Sequence, residues 1–137
     1  MTRLFLDTNI VIDLLAKREP FYNDAVRIFT MAYNKEVQVI IAPITYTTAS
    51  YLLRHHGSKG VQNLLASLRQ LSHVATIDEQ VVDNSIVSKF KDFEDAVQYY
   101  TAIKAKANAI ISRNGKDFAP SKIPVMAAAE FLASYNK

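Results

Sequence analysis

Short apolar runs alternate with longer amphipathic segments along this chain, and the alternation predicts strands and helices in turn. The clearest strand is 37–42, because its sequence VQVIIA is β-branched and largely apolar on both faces, as in a buried strand of a parallel sheet. The other predicted strands are 4–6, 73–77, 109–111 and 123–126. The pattern predicts a three-layer α/β/α fold with a mostly parallel central sheet of about five strands.

The amphipathic segments between these strands predict helices. Pro43 suits the first turn of a helix, and Gly57 is expected to end that helix. Ser58 begins the next helix, whose leucine stripe recurs at helical spacing and is expected to face the core. The remaining predicted helices are 9–17, 21–34, 79–89, 93–106 and 127–135.

Composition indicates one compact domain over residues 1–137. Half of the residues are hydrophobic, and the chain has only 3 Gly and 4 Pro, so disorder and fibrous repeats do not fit. The chain has no cysteine, which excludes disulfides, thiolate metal sites and cysteine nucleophiles. That composition agrees with a reducing cytoplasm, where we expect the protein to be located. A net charge of +3 is only a weak indication of a polyanionic partner.

The longest apolar candidate, residues 4–16, is interrupted by Asp7, Thr8, Asn9 and Asp13. It is too short and too polar to span a bilayer. It also lacks the flanking features of a signal peptide. We therefore interpret this segment as folded structure and expect no membrane partner.

Acidic residues fall near the predicted carboxyl ends of strands, the edge at which ligands bind in open parallel sheets. Asp7 directly follows the first strand, Asp92 and Asp95 open the helix before the fourth strand, and Asp117 lies in the loop after it. Carboxylates that converge on one cleft repel each other unless they are protonated or bridged by a cation. Because oxygen ligands suit Mg²⁺ or Mn²⁺, we expect a divalent-metal site.

A purely structural role is the alternative for each acid. Residues 7–9, with the sequence Asp-Thr-Asn, can cap the following helix. Asp92 and Asp95 have the N-cap and N3 spacing of a capping box, and Asp117 can serve its own turn. Because acids occur at three such positions near the same edge of the sheet, a functional site is still favoured over purely structural roles. Asp13 is expected to take a solvent-facing or rim position.

Three segments resemble the motifs of the PIN-domain family of metal-dependent ribonucleases. They are LFLDTN at 4–9, DFEDA at 92–96 and SRNGKDF at 112–118, and their order and spacing extend the resemblance over nearly the whole chain. The resemblance implies that Asp7, Asp95 and Asp117 hold Mg²⁺ or Mn²⁺ and are the catalytic residues.

The same family includes VapC-type toxins of bacterial toxin–antitoxin pairs. The resemblance therefore implies hydrolysis of RNA phosphodiester bonds by an endoribonuclease, with an antitoxin protein as a partner and a homodimer as the expected assembly. It further implies that Thr8 and Asn9 position water or phosphate, and that Asn114 supports the loop that carries Asp117. Arg113 and Lys116 are expected to contact the RNA backbone.

One position departs from the family pattern. The family tends to place a Glu in a stretch resembling I-T-x-x-E, but residues 44–48 read ITYTT, so a neutral Thr48 stands at that position. Losing a carboxylate should weaken metal affinity, and Asp92, three residues from Asp95 on one helix face, is the candidate substitute. The alternative is a weak or inactive PIN-like module that binds RNA or a protein partner. An unrelated phosphotransfer domain is disfavoured by Asn9, where a phosphoaspartyl enzyme would carry a second acid.

Overall fold

A computed structural model describes residues 1–135 of the chain, so residues 136 and 137 of the predicted domain lie outside the described part. Strands and helices alternate as the sequence pattern predicts. Along the chain they are β1 (Thr2–Leu6), α1 (Thr8–Leu15), α2 (Tyr22–Tyr33), β2 (Val37–Ile41), α3 (Pro43–Leu52), α4 (Gly57–Gln70), β3 (His73–Val74), α5 (Glu79–Ile86), α6 (Phe93–Lys104), β4 (Ala109–Ile111), β5 (Val125–Met126) and α7 (Ala128–Tyr135). Two single turns of 3-10 helix, Arg54–His56 and Gly115–Phe118, complete these elements.

The five strands form one sheet in the order β3-β2-β1-β4-β5, and every neighbouring pair is parallel. Strand order reverses at β1, because the chain builds outward to β3 and then returns to place β4 on the other side. A crevice opens at such a reversal, outside the carboxyl ends of the two central strands. The fold therefore presents its natural ligand-binding edge just beyond Leu6 and Ile111.

Both faces of the sheet are buried, which explains the apolar runs. Alternate side chains point to opposite faces of a strand. Leu4 and Leu6 of β1 pack in the core beneath α1, α2 and α7, whereas Phe5 packs in a second core beneath α6. The same alternation holds in β2 and β4. The predicted three-layer α/β/α architecture is confirmed.

The differences from the predicted elements lie at their ends. The predicted helix at 43–56 ends at Leu52 and is followed by the 3-10 turn, and Gly57, with φ of 77°, is the first residue of α4. Of the predicted strand 73–77, only His73 and Val74 form β3. The Ala75 amide donates to the carbonyl of Ile41, which is the last residue of β2, and the pairing ends there. The strand predicted at 123–126 is also shorter, because Pro124 has no N–H to donate.

The expected position of Asp13 is wrong. Its side chain is 1% exposed and forms ion pairs with two arginines, Arg18 and Arg113. Arg18 Nε lies 3.0 Å from Oδ1, and Arg113 Nε lies 3.0 Å from Oδ2. The Arg113 guanidinium also stacks on Phe21 at 4.0 Å from the ring centroid. This cluster ties α1 and the start of α2 to the segment after β4.

In the described part of the chain, no helix combines the length and the apolar character needed to cross a bilayer.

Candidate active site

Four carboxylates lie near the crevice outside β1 and β4. Asp92, Asp95 and Asp117 line a cleft of about 470 Å³. Asp7 lies at the end of β1 and is only 6% exposed. Its charge acts on Asp95, as the charge of Asp117 does, so the four acids share one electrostatic environment. The strand ends and the start of α6 bring these residues together from distant parts of the sequence.

Hydrogen bonds from neighbouring elements hold the Asp7 carboxylate in place. Its Oδ1 accepts from the Thr8 amide at 2.8 Å, which makes Asp7 the N-cap of α1, as the structural alternative expected. Ser112 Oγ, directly after β4, donates to Oδ2 at 2.8 Å. Gln98 Nε2 from α6 also donates to Oδ1, at 3.3 Å. Capping and a functional role are therefore compatible for this acid.

A buried polar network continues from Asp7 to α3. Gln98 Nε2 donates to Thr8 Oγ1 at 3.0 Å, and Thr8 Oγ1 lies 2.8 Å from Thr45 Oγ1. Gln98 is 1% exposed, and within residues 1–135 its Oε1 is the one buried side-chain oxygen or nitrogen that lacks a hydrogen-bond partner. A buried polar atom without a partner is costly, so this open acceptor marks a place where the site can receive a donor.

The pKa values of two acids are raised. Burial is the largest cause, and together with the nearby charges of Asp92, Asp7, Asp117 and Glu94, in decreasing order, it raises the pKa of Asp95 to about 6. Burial also raises the pKa of Asp7, against the hydrogen bonds from Ser112 and Thr8 that favour its charged form. The site therefore accumulates negative charge that a cation would relieve.

Asp92 and Asp117 are held by backbone contacts. Asp92 is the N-cap of α6, and its Oδ1 accepts from the Asp95 amide at 3.1 Å, as the capping alternative predicted. The Asp117 amide donates to the Asn114 carbonyl at 2.9 Å, so the backbone of Asn114 supports this loop. The Asn114 amide in turn donates to Ser112 Oγ at 3.0 Å.

The remaining predicted substrate contacts differ in accessibility. Thr8 is buried in the network, and the Asn9 carbonyl accepts from Arg18. Arg113 directs its Nε and Nη2 to the Asp13 carboxylate, so its guanidinium serves an ion pair in this structure. Lys116 lines the carboxylate cleft and is exposed. Of these residues, Lys116 is the one that lines the cleft.

Thr48 lies on α3, half-buried and three residues after Thr45. Residues three apart lie on the same side of a helix, and Thr45 already contacts Thr8. Thr48 is therefore on the same side of α3 as Thr45, and its hydroxyl is neutral.

The donor set fits a hard divalent cation in its chemistry. Two carboxylate oxygens offer about four acceptor positions, and Asp7 uses three of them, so it retains room for one further ligand. Asp92, Asp95 and Asp117 offer oxygens at the adjoining cleft. Among residues 1–135, the side chains do not form a group of three or more acids or histidines arranged to hold an ion. The conformations seen therefore need to adjust before the acids can enclose one.

Sequence reasoning missed three residues of this site: Gln98, Ser112 and Thr45. Gln98 is three residues after Asp95, so the helical period alone places it on the same side of α6. Ser112 directly follows β4 in the way that Asp7 directly follows β1, which is a second detectable signal. Thr45 gave no such signal, because its contact with Thr8 depends on how α3 packs.

Comparison with known proteins agrees with this architecture. Residues 3–116 match the sequence profile of the PIN domain, so the chain belongs to the PIN domain family. It is similar to Ribonuclease VapC1 of Aquifex aeolicus (strain VF5), with 23% identity over 98% of this chain and 96% of that protein.

Two solved structures share the fold. A toxin–antitoxin complex from Klebsiella pneumoniae superposes with a TM-score of 0.70 at 24% identity, covering 91% of this chain and 97% of that one. Mycobacterium tuberculosis VapC20, described as a toxin that cleaves the sarcin-ricin loop, superposes with a TM-score of 0.65 at 16% identity, covering 85% and 94%. At these identities the likeness concerns the fold.

Proposed function

We propose that residues 1–137 form a single PIN domain that acts as a metal-dependent endoribonuclease and is the toxin of a toxin–antitoxin pair. The observation that carries the proposal is that Asp95 and Asp117 line one cleft and that the buried Asp7 is near enough for its charge to help raise the pKa of Asp95 to about 6. Perturbed acids in a cleft at this edge of a parallel sheet are typical of a catalytic site. The relationship to Ribonuclease VapC1 supports RNA as the substrate.

Asp7, Asp95 and Asp117 would hold Mg²⁺ or Mn²⁺, and Asp92 would compensate for the neutral Thr48. A divalent cation supplies a Lewis acid for the phosphoryl oxygens and lowers the pKa of a bound water. Ser112, Gln98 and the Thr8 amide fix the Asp7 carboxylate before substrate arrives. Such fixed orientation contributes to catalysis because less rearrangement is needed during the reaction.

The partners follow from the same proposal. An antitoxin protein would bind the chain, in line with the toxin–antitoxin complex that shares its fold. A homodimer and a cytoplasmic location complete the proposal, the latter supported by the absence of cysteine. Light scattering would measure the assembly. Growth arrest on expression, relieved by co-expressing the product of a neighbouring small reading frame, would support the toxin role.

The test of the nuclease is Asp7→Asn, assayed with RNA in Mn²⁺ or Mg²⁺. We expect cleavage by the wild type and none by the variant, with the fold intact by circular dichroism. Asp83→Asn, on the exposed side of α5, is the matched control and should cleave normally. Equal cleavage by wild type and Asp7→Asn would refute the assignment and indicate a contaminating nuclease.

A second candidate is a PIN domain that binds RNA or a protein without cleaving. Thr48 favours it, since a carboxylate that the family pattern expects is missing. The arrangement of the acids also requires adjustment before they can enclose an ion. Thermal melting separates the candidates: Mn²⁺ should raise the melting temperature of a working site and leave that of an inactive site unchanged.

A further inference from the structure

The carboxylate cleft is also lined by three exposed lysines, Lys89, Lys91 and Lys116. None of them takes part in an ion pair within residues 1–135, where the acids paired with lysine or arginine are Asp13 and Asp78. Three positive charges therefore face the same space as the three carboxylates of the cleft. The lysines offset a field that would otherwise repel a polyanion.

An aromatic cluster holds the two sides of this cleft in fixed positions. Phe90 lies between Lys89 and Lys91 and packs against the Tyr99 ring, with centroids 5.1 Å apart. It also meets the buried Phe118 edge to face at 6.1 Å. Because Phe118 follows Lys116 by two residues, its burial anchors the other side of the cleft. Lys89 and Lys91 on one side of the cleft and Lys116 on the other therefore flank residues of the same packed aromatic cluster.

The size of the cleft limits the occupant. A volume of about 470 Å³ lies in the range of clefts that hold one small ligand, about 300–1,000 Å³. A cleft of this size holds about one nucleotide at a time, which favours an unpaired strand over a duplex. Lysine acts as a flexible point charge and binds phosphate without reading bases.

We propose that Lys89, Lys91 and Lys116 form a lysine rim that binds the phosphates flanking the cleavage position in an unpaired RNA strand. This proposal rests on the nuclease function and adds the groups that hold the substrate. It assigns RNA binding to Lys89 and Lys91, which lie between α5 and α6 and outside the motifs of the family. It also makes affinity independent of base sequence at these contacts.

The experiment measures binding of a short labelled RNA to the Asp7→Asn chain at increasing salt. Each phosphate contact to a single strand contributes about 0.7 to the slope of log K against log salt. Lys89→Gln, Lys91→Gln and Lys116→Gln should each reduce the slope by about 0.7. The loss of affinity that each substitution causes should therefore be roughly 8-fold larger at 0.05 M salt than at 1 M salt. The triple variant should lose about 2 from the slope.

Lys35→Gln is the matched control. Lys35 is exposed just before β2, at the amino ends of the strands, whereas the cleft lies beyond their carboxyl ends. This substitution changes the net charge equally and should leave the slope unchanged. Rim variants that behave like Lys35→Gln would overturn the proposal, and so would a duplex of the same sequence that binds as tightly as the single strand. Rim-dependent binding without Asp7-dependent cleavage by the wild type would support the rim and refute the nuclease. Cleavage that requires Asp7, together with RNA binding that is unchanged in the rim variants, would support the nuclease and refute the rim.

Discussion

Ser112 Oγ donates a hydrogen bond to Asp7 Oδ2 over 2.8 Å and so joins the end of β4 to the end of β1. These are the two central strands on either side of the reversal in strand order. The same hydroxyl accepts from the Asn114 amide, at the start of the loop that carries Asp117. Ser112 thus links the buried Asp7 carboxylate to the loop that carries the exposed Asp117.

Ser112→Ala should weaken both the fold and metal binding. Hydrogen bonds to charged groups contribute about 1.5–3 kcal/mol, so the free energy of unfolding should fall by about 2 kcal/mol. Losing this donor should also raise the pKa of Asp7 further and displace its carboxylate. The Mn²⁺ concentration that half-saturates the rise in melting temperature should increase several-fold.

The control for this prediction is Ser50→Ala. Ser50 Oγ donates to the Thr47 carbonyl within α3, in an exposed hydrogen bond. Removing it should have little effect on Mn²⁺ affinity. If both alanine variants bind Mn²⁺ like the wild type, Ser112 has no part in holding the metal ligand.

Asp95 should make the metal-free protein more stable as the pH falls. Its pKa is about 6 in the folded chain, whereas the ordinary value for an aspartate is 3.8, so between these values the folded state binds more protons than the unfolded state. The free energy of unfolding therefore decreases as the pH rises through this window. Denaturant unfolding in chelator should show this slope in the wild type and a weaker one in Asp95→Asn.

The fold was largely predictable because its strongest signals are local. The run VQVIIA at 37–42 is apolar on both faces, and only a doubly covered strand satisfies that pattern. The short strand β3 was overestimated since its end depends on where β2 stops offering hydrogen-bond partners. The length of an edge strand depends on both paired strands, so it cannot be predicted from the sequence of one of them.

The sequence located the acids at strand ends and at a helix start, but it did not identify the side chains that contact them. Asp7 lies at a strand end, which the apolar pattern locates. One of the two partners of Asp13, in contrast, is Arg113, one hundred residues away, and no local spacing links the two. Gln98 shares its side of α6 with Asp95 and Thr101, and polar residues at such a spacing also occur on the exposed face of a helix. The role of Gln98 depends on the packing of α6 over β1.

Arg113→Ala should lower stability, because it removes one of two cations from a buried carboxylate. Breaking a buried ion pair costs about 3–5 kcal/mol, and since Arg18 still contacts Asp13, we expect about 3 kcal/mol. Urea unfolding measures this loss. A double variant with Asp13→Asn should recover part of it, which would identify the role as structural. Unchanged stability with weaker RNA binding would instead support the direct RNA contact that the sequence suggested.

Thr48→Glu should restore the carboxylate that the family pattern expects. If position 48 faces the acids from α3, as its place beside Thr45 implies, then in the metal-free protein the added charge should raise the pKa values of Asp7, Asp95 and Asp117 by repulsion and lower the melting temperature at neutral pH. With Mn²⁺ the sign should reverse, because the cation is attracted by one more anionic oxygen. Melting with and without Mn²⁺, together with RNA cleavage, measures both effects.

The matched control is Thr47→Glu, at the neighbouring and exposed position of the same helix. It adds the same charge on a different side of α3 and should change neither the Mn²⁺ response nor cleavage. Stronger metal stabilisation with faster cleavage by Thr48→Glu alone would mean that Thr48 attenuates the nuclease. If the two glutamate variants behave alike, Thr48 lies outside the metal site, and the loss of the family's glutamate does not limit metal binding in this chain.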